Sequence, residues 1–405
     1  MRIVIIGAGE CGIRATLALR QEGFDGSIDL VHGETHEPYE RPPLSKPGPD
    51  GLSLKPISGA ADVLAANITI HHDVRAFAID RTTKTVALSN DETLNYDRLL
   101  LATGASPRRL IVEGKEIAQA RYLRTYDDAK ALYDVLSPDY RLTIIGAGFI
   151  GLELAAEARR RGAPTTVIES APRILARAVP AELATRIEAR HRAEGVAFHI
   201  GHAIQSINAV RLITLDDGTE IAGDILVAGI GSIPETTLAA SAGLALSNGI
   251  AVNGFLQTSD PDIFAAGDCC SFPHPLYDDK RIRLESWRAA QEQGAYVARA
   301  MLGSSDPFNA VPWFWSEQYD LTLQIAGIPS EGTKTLTRGL DADSTILFHL
   351  NDGGRLVGAS GLGMGNRVAR DIRLAEMLIA KGICPDADAL EDSSVSLKTL
   401  LSPRS

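Results

Sequence analysis

Three glycines near the start of the chain, Gly7, Gly9 and Gly12, have the spacing of residues that bind the pyrophosphate of a dinucleotide. The apolar residues 3–6 before them predict a short buried strand, and the residues after Gly12 have the pattern of a helix. In this strand–turn–helix fingerprint, Gly7 permits the tight turn, Gly9 leaves room for the pyrophosphate and Gly12 lets the helix pack on the strand. The positive end of the helix then faces the phosphates. Glu34, about 20 residues further on, is expected to accept the ribose hydroxyls.

The same pattern occurs a second time in the chain. Residues 142–145 predict a strand, Gly146, Gly148 and Gly151 form the turn, and a helix is expected over 152–161. Glu169 lies about 20 residues beyond the last glycine of this copy. Because two accidental matches are improbable, the repeat predicts two dinucleotides in one chain. Glu169 favours NADH over NADPH, since a carboxylate accepts both ribose hydroxyls and repels a 2′-phosphate.

The remaining segments suggest how these copies are divided into domains. The strand-rich stretch 67–104 is echoed by 196–231, and the later strand-like run 263–266 ends in Gly267 and Asp268. Open α/β sheets bind ligands at the carboxyl ends of their strands, so the first domain is expected to resume there. The C-terminal part predicts strands at 321–326 and 345–350 and a closing helix at 367–381. The predicted division is a first nucleotide domain of residues 1–104 and 232–311, a second of 105–231, and a C-terminal α+β domain of 312–405.

Composition excludes several classes of protein. The chain has 405 residues with 40 basic and 51 acidic side chains, a net charge of −11, which argues against nucleic-acid binding and against attraction to anionic membranes. We find no apolar stretch near the roughly 20 residues that a membrane span needs. The four cysteines form no CxxC or CxxxxC motif, so we expect a reduced, cytoplasmic protein. The absence of these motifs also disfavours a disulfide reductase. We expect no metal site.

A rigid loop with two adjacent prolines, Pro42 and Pro43, presents Arg41 and Lys46, which suits an anionic ligand. The whole run 39–46 (YERPPLSK), together with RLESW at 283–287 and WSEQ at 315–318, resembles the FAD-dependent, NADH-using ferredoxin reductases that serve bacterial Rieske oxygenases and cytochromes P450. The resemblance covers essentially the full length. It implies an α/β fold with two Rossmann-like dinucleotide-binding domains of glutathione-reductase type, the first for FAD and the second for NAD, and a C-terminal α+β domain.

The resemblance also implies a role for individual residues. Lys46 would lie beside the reactive flavin nitrogen and Glu153 would pair with it; these two are the expected catalytic residues. The implied FAD contacts are Gly7, Gly9, Gly12, Glu34, Arg41, Lys46, Arg124, Asp268, Trp287 and Trp315, and the implied NADH contacts are Gly146, Gly148, Gly151 and Glu169. The remaining nucleotide contacts are expected at Val74, Ala102, Thr103, Gly104, Ile150, Gly229, Gly231 and Glu285. Glu10 stands where the family usually has an uncharged residue, and we expect its side chain to point to solvent, because a pyrophosphate would repel it.

The chemistry of the two nucleotides agrees with the function that the resemblance implies. NADH gives two electrons together, whereas a [2Fe–2S] ferredoxin accepts one, and a flavin can mediate between them. The activity that the resemblance implies is that of an NADH:ferredoxin oxidoreductase that feeds a Rieske or P450 oxygenase. A rubredoxin reductase and a flavin-dependent NADH oxidase are alternatives, and a non-catalytic NADH-sensing flavoprotein is a further one. Ferredoxins of this type are acidic, so docking requires a local basic patch; the candidates are Arg281, Arg283, Arg288, Arg367, Arg370 and Arg373. A solvated arginine-rich helix face explains them equally well.

Overall fold

Strand β1, which covers Arg2–Ile6, is buried from Ile3 onward and starts the first of two nucleotide-binding sheets. The computed structural model describes residues 1–48, 51–58, 62 and 65–401. Within it the chain forms two units: unit 1 comprises Met1–Glu40, Leu54–Ser106 and Ile233–Pro312, and unit 2 comprises Arg41–Ser53, Pro107–Ser232 and Trp313–Ser405. The division into three domains stays a prediction.

The described helices and strands have the following bounds. The helices are α1 (Glu10–Gln21), α2 (Tyr126–Tyr133), α3 (Phe149–Arg160), α4 (Ala181–Ala193), α5 (Thr237–Ser241), α6 (Trp287–Met301), α7 (Ala369–Ala380) and α8 (Ala387–Glu391). The first strands after β1 are β2 (Ser27–His32), β3 (Thr69–His72), β4 (Ala76–Asp80), β5 (Thr85–Leu88), β6 (Thr93–Asn95), β7 (Arg98–Leu101), β8 (Ala105–Pro107), β9 (Ile111–Val112) and β10 (Lys115–Glu116). Strands β11 (Leu142–Ile145), β12 (Thr165–Glu169), β13 (Ala197–Ile200), β14 (Ile204–Ile207), β15 (Leu212–Leu215), β16 (Glu220–Ala222), β17 (Ile225–Ala228) and β18 (Ser232–Pro234) follow. The last are β19 (Ile250–Ala251), β20 (Ile263–Ala265), β21 (Cys270–His274), β22 (Lys280–Ile282), β23 (Trp313–Gln318), β24 (Leu321–Gly327), β25 (Lys334–Gly339), β26 (Thr345–Leu350) and β27 (Leu356–Met364).

Unit 1 is organised around a five-stranded parallel sheet of order β20–β7–β1–β2–β3. The late strand β20 therefore pairs with the early strand β7, with Ile263 opposite Leu99. Helix α1 packs against α6, where Gly294 lets the two backbones approach: a methyl group at this position would lie 2.5 Å from the carbonyl oxygen of Cys11. Cys11, Cys269 and Cys270 are buried in the core of this unit as free thiols.

Unit 2 repeats the same plan and adds a second kind of sheet. Its parallel sheet has the order β13–β12–β11–β17, so β11 holds the central place that β1 has in unit 1. Each unit also has a small three-stranded antiparallel sheet, β4–β5–β6 in unit 1 and β14–β15–β16 in unit 2. In each case the next strand in the chain pairs with the central strand of the parallel sheet: β7 pairs with β1, and β17 pairs with β11. The segment from Trp313 forms an antiparallel sheet of order β23–β24–β27–β26–β25, on which α7 packs. The predicted α/β fold with an α+β C-terminal part is confirmed.

None of the helices in the described part of the chain is long and apolar enough to cross a bilayer.

Candidate functional site

The first glycine cradle lies between β1 and α1 in unit 1. Gly7 has φ +110°, and a methyl group there would lie 2.2 Å from the carbonyl oxygen of Ala102. A methyl group on Gly12 would lie 1.9 Å from the carbonyl oxygen of Gly7. At Gly9, in contrast, a methyl group would meet no described atom within 4 Å. Gly7 and Gly12 are therefore required by the fold, whereas Gly9 borders open space.

The second cradle, between β11 and α3 in unit 2, reproduces this geometry. Gly146 has φ +99°, and a methyl group there would lie 2.5 Å from the carbonyl oxygen of Gly229. A methyl group on Gly151 would lie 2.3 Å from the carbonyl oxygen of Gly146. At Gly148 the nearest described atom, the same Gly229 oxygen, would be 3.9 Å away. The repeat predicted from sequence therefore extends to individual backbone contacts.

Both cradles end at the N-terminus of a helix, where backbone amide groups face outward from the helix. Gly9 and Gly148 are the N-cap residues of α1 and α3, and as glycines they supply no side-chain cap to their helices. The first amide groups of a helix have no partner within the helix, and the helix dipole adds partial positive charge at this end. Ile150, in the first turn of α3, is 50% exposed beside these amides. Open space next to the amides of a helix N-terminus fits a pyrophosphate in each cradle, so the residues present fit FAD and NAD.

The acidic residues expected to bind ribose lie near these cradles and are held by hydrogen bonds. Glu169, at the end of β12, accepts hydrogen bonds from the backbone amides of Ala147 (2.7 Å) and Ala171 (2.8 Å). Glu34 follows β2 and accepts one from the Tyr39 hydroxyl at 2.6 Å. Carboxylate oxygens have several lone pairs, so both groups keep acceptor capacity for ribose hydroxyls.

Glu10 does not point to solvent as expected from sequence. Its side chain is 9% exposed, and Oε1 accepts hydrogen bonds from Arg14 Nε (2.9 Å) and Gln291 Nε2 (2.7 Å). The Arg14 cation, one helical turn away, compensates the negative charge, and Gln291 on α6 supplies a second donor. The carboxylate is therefore directed into the protein beside Arg14 and Gln291, and the expectation of a solvent-directed carboxylate is wrong.

Lys46 and Glu153 come together in unit 2. Glu153 is 8% exposed on α3, and its Oε1 lies 3.6 Å from Lys46 Nζ. The ammonium also lies 3.4 Å from Glu317 Oε2 and 4.9 Å from the ring centre of Trp315. Trp315 in turn stacks on Trp313 with 5.5 Å between ring centroids. Lys46 is thus held between two carboxylates and the face of an aromatic ring.

Two serines complete the surroundings of Glu153 and were not among the predicted site residues. Ser45 Oγ donates to Oε2 at 2.5 Å, and Ser316 Oγ donates to Oε1 at 2.7 Å. A buried carboxylate needs such donors, because its desolvation is costly. Both serines belong to motifs that the sequence singled out, YERPPLSK and WSEQ, but their common partner is distant in the chain.

The loop before Lys46 is anchored at both ends within unit 2. The Tyr133 hydroxyl donates to the carbonyl oxygen of Leu44 at 2.9 Å, and the Arg41 guanidinium donates to the carbonyl oxygen of Arg124. Two of the predicted flavin contacts, Arg41 and Arg124, are therefore brought together. Burial raises the pKa of Tyr133, so this hydroxyl stays protonated and can donate.

The other predicted contacts have the following positions. In unit 1, Val74 and Ala102 are buried, and the Thr103 hydroxyl donates to the carbonyl oxygen of Glu235 at 2.7 Å, just before Gly104. Asp268 follows β20, Glu285 pairs with Arg283, and Trp287 is the first residue of α6. In unit 2, Gly229 follows β17, and Gly231 accepts a hydrogen bond from the amide of Arg108 at its carbonyl oxygen (2.9 Å).

Most of the arginines proposed for docking are neutralised. In unit 1, Arg283 and Arg288 pair with Glu285 and Glu292, and Arg281 donates to the carbonyl oxygens of Val252 and Ser271. In unit 2, Arg367 pairs with Asp341 and Arg373 with Glu376, both at 2.8 Å, while Arg370 is exposed at the start of α7.

The two kinds of glycine in a cradle predict two different phenotypes. Gly148→Ala should fold normally, because the backbone there has φ −81° and the site is open. Its methyl group would occupy the space for the pyrophosphate, and we expect the KM for NADH to rise about tenfold, the equivalent of about 1.4 kcal/mol. Gly151→Ala should instead lower the free energy of unfolding by about 1–3 kcal/mol, because helix and turn must move apart.

Thermal unfolding and NADH titrations of both variants distinguish these roles. If Gly148→Ala lowered the free energy of unfolding as much as Gly151→Ala, the proposed difference between the two glycines, open space at one and close packing at the other, would be wrong.

Comparison with known proteins supports the reading of this geometry. Residues 1–294 match the family model described as pyridine nucleotide-disulphide oxidoreductase, and residues 313–401 match the reductase C-terminal family. The chain is 38% identical over 405 residues to the ferredoxin–NAD(+) reductase component of an anthranilate 1,2-dioxygenase system from Burkholderia cepacia, with 98% of each chain covered. It is 40% identical over 337 residues to a rubredoxin–NAD(+) reductase from Pseudomonas putida, covering 81% of this chain and 86% of that one.

Solved structures agree with these relatives. The covalent putidaredoxin reductase–putidaredoxin complex contains a chain with a TM-score of 0.90 and 33% identity, covering 99% of this chain and 98% of that chain. The family-level prediction made from the YERPPLSK and WSEQ motifs is confirmed. The chain belongs to the pyridine nucleotide-disulphide oxidoreductase family, with a reductase C-terminal domain, and is related over its full length to ferredoxin–NAD(+) reductases.

Proposed function

We propose that this protein is an NADH:ferredoxin oxidoreductase that passes electrons from NADH through FAD to a [2Fe–2S] ferredoxin of an oxygenase system. The observation that carries the proposal is the pair of matching glycine cradles, each with open space beside a helix N-terminus. The full-length similarity to the reductase component of a dioxygenase system supports the choice of acceptor.

The proposed cofactor residues follow from the two cradles. Gly7, Gly9, Gly12 and Glu34 hold the ADP part of FAD, and Gly146, Gly148, Gly151 and Glu169 hold NADH. Arg41, Arg124, Asp268, Trp287 and Trp315 are further proposed FAD contacts. We also propose residues 1–104 and 232–311 as the FAD domain, 105–231 as the NAD domain and 312–405 as the C-terminal domain.

The chain's own contribution to the chemistry is positional and electrostatic. FAD, when bound, takes up two electrons at once and gives them up singly, which supplies the redox step. We propose Lys46 as the cation that stabilises negative charge on the flavin ring, as preorganised charges do in active sites. Glu153 and Glu317, 3.6 and 3.4 Å from Lys46 Nζ, hold the ammonium in place together, so little reorganisation is needed during the reaction.

An anaerobic titration tests this function. The purified protein should bind FAD, lose its yellow colour on addition of NADH, and then reduce an added [2Fe–2S] ferredoxin. Rubredoxin is the competing acceptor, because a rubredoxin–NAD(+) reductase is among the relatives. Faster electron transfer to rubredoxin, or bleaching with no transfer to any iron–sulfur protein, would replace this proposal by a rubredoxin reductase or by an NADH oxidase or sensor. The absence of FAD binding would end it.

Glu169 should determine the choice between NADH and NADPH. Its carboxylate is held in place by the amides of Ala147 and Ala171, at the end of β12. Glu169→Gln keeps the size and removes the charge, so repulsion of a 2′-phosphate should disappear. We expect the ratio of kcat/KM for NADH over NADPH to fall about tenfold, about 1.4 kcal/mol of discrimination. The matched control is Glu220→Gln, which removes an exposed carboxylate on β16 and should leave the ratio unchanged. An unchanged ratio in Glu169→Gln would remove Glu169 as the specificity residue.

Docking of an acidic ferredoxin is proposed to use the six arginines, with Arg370 as the cleanest test. Arg370 is exposed, whereas reversing Arg367 or Arg373 would also break an ion pair. Arg370→Glu should raise the KM for ferredoxin about fivefold at low salt, and the effect should fade as salt screens the charges. Lys115→Glu, at another exposed position in unit 2, should have a smaller effect. If Arg370→Glu and Lys115→Glu raised the KM for ferredoxin equally, the effect would come from the net charge of the protein and Arg370 would not be part of a docking site.

A further inference from the structure

A buried chain of hydrogen bonds leads to Glu153 and ends at Oε1, the carboxylate oxygen that also lies nearest the Lys46 ammonium. Ser316 Oγ lies 2.7 Å from Glu153 Oε1, and Gln318 Nε2 lies 3.1 Å from Ser316 Oγ. His191 Nε2 lies 2.8 Å from Gln318 Oε1, and the Tyr319 hydroxyl lies 3.4 Å from His191 Nδ1. All five residues belong to unit 2: Glu153 lies on α3, His191 on α4, Ser316 and Gln318 on β23, and Tyr319 directly after β23.

Every donor in this chain points toward the carboxylate. Glu153 can only accept, so Ser316 must give it the single hydroxyl hydrogen, and the Ser316 oxygen then accepts from the Gln318 amide. Gln318 Oε1 can only accept, so His191 carries its hydrogen on Nε2. Nδ1 is then the acceptor for the Tyr319 hydroxyl. This direction is imposed by the chemistry of the groups, and a chain of aligned dipoles strengthens each bond in it.

Burial makes the arrangement of these groups specific. His191 has no exposed surface, and Ser316 and Gln318 are almost completely buried. Burial lowers the pKa of His191 to about 4, so the ring is neutral at pH 7, as the chain requires. A neutral ring with one donor and one acceptor satisfies both neighbours, whereas an imidazolium would present a second donor toward Tyr319.

The far end of the chain contains a strained residue. Tyr319, in the turn between β23 and β24, has φ +57°, a conformation that bulky side chains adopt at a cost. Its ring meets the His191 ring edge-on with 5.0 Å between centroids, and the Arg190 guanidinium lies 4.8 Å from its centre. Contacts that hold a tyrosine in this backbone conformation indicate that its position against His191 is specified.

We propose that His191 and Gln318 are positioning residues for Glu153, fixing the orientation of its carboxylate under the Lys46 ammonium. Ser45 fixes the second oxygen, Oε2, so the carboxylate is held at both ends. The chain is not a proton path, since the Gln318 amide does not pass a proton along it. The inference rests on the proposed function for its catalytic meaning, because Lys46 and Glu153 are assigned to the flavin there.

A pair of near-isosteric variants tests the inference. His191→Gln keeps an N–H donor near the position of Nε2, whereas His191→Met has similar size and no donor. We expect His191→Met to let the ammonium move, so the rate of Lys46 acetylation by acetic anhydride, measured by mass spectrometry relative to exposed Lys115, should rise severalfold. His191→Gln should stay close to the wild-type rate. Ser316→Ala, which removes the direct donor to Glu153, should raise the rate at least as much.

Two further measurements separate positioning from general loosening of the fold. The flavin midpoint potential of His191→Met should shift in the same direction as that of Lys46→Met, and that of His191→Gln should not. Tyr319→Phe removes only a hydroxyl and should give a smaller change of the same sign, which keeps the test available if His191→Met does not fold. In ¹⁵N spectra of the wild type, His191 should be the Nε2–H tautomer.

The outcomes distinguish this inference from the proposed function. If Ser316→Ala raises Lys46 labelling while His191→Met and Tyr319→Phe leave it unchanged, or if His191 is the Nδ1–H tautomer, the chain does not position Glu153. Those results leave the proposed function intact. Failure to bind FAD or to accept electrons from NADH overturns the proposed function, and the labelling experiment still decides whether His191 holds Glu153 and Lys46.

Discussion

The close approach of a helix to the strand before it is the constraint on which both nucleotide cradles depend. At Gly12 and Gly151, both in the first turn of their helices, a methyl group would lie 1.9 and 2.3 Å from a carbonyl oxygen of the preceding turn, so this close packing requires glycine at both positions. This approach points the first amides of α1 and α3 at open space, where the helix dipole favours an anion. Burial of β1 and β11 in the middle of their sheets keeps the turns in place. The fold and the ability to bind two dinucleotides thus have a common physical origin.

Local patterns in the sequence predicted the elements that form the cradles. The strand expected over 142–145 is β11, Leu142–Ile145, and the helix expected over 152–161 is α3, Phe149–Arg160. These elements follow from hydrophobic periodicity and glycine spacing, which are local properties. Glu10 was predicted wrongly because repulsion by a pyrophosphate was considered without its two partners: Arg14, which is only four residues away, and Gln291, which is 281 residues away in sequence. The two serines on Glu153 were missed for the same reason, since Ser316 is 163 residues from it. The roles of the predicted site residues stay predictions.

Charge in this chain is mostly balanced by neighbours, and this affects how a partner could be recognised. The net charge is −11, yet the arginines at 283, 288, 367 and 373 each pair with a carboxylate. The carboxylates in these ion pairs reduce the positive field that a partner would meet at the arginines. An acidic carrier that approached these arginines would therefore meet a weaker positive field than their number alone implies.

The WSEQ segment at 315–318 shows why four consecutive residues can form one functional signature. Side chains alternate along β23, so Ser316 and Gln318 share one face and Trp315 and Glu317 share the other. The first pair is buried and forms the hydrogen-bond chain to Glu153, whereas the second pair lies against the Lys46 ammonium, at 4.9 and 3.4 Å. A single strand thus contacts both members of the Lys46–Glu153 pair. A one-residue shift in the register of β23 would exchange the two faces, so the contacts to Lys46 and to Glu153 depend on the spacing of these four residues as well as on their types.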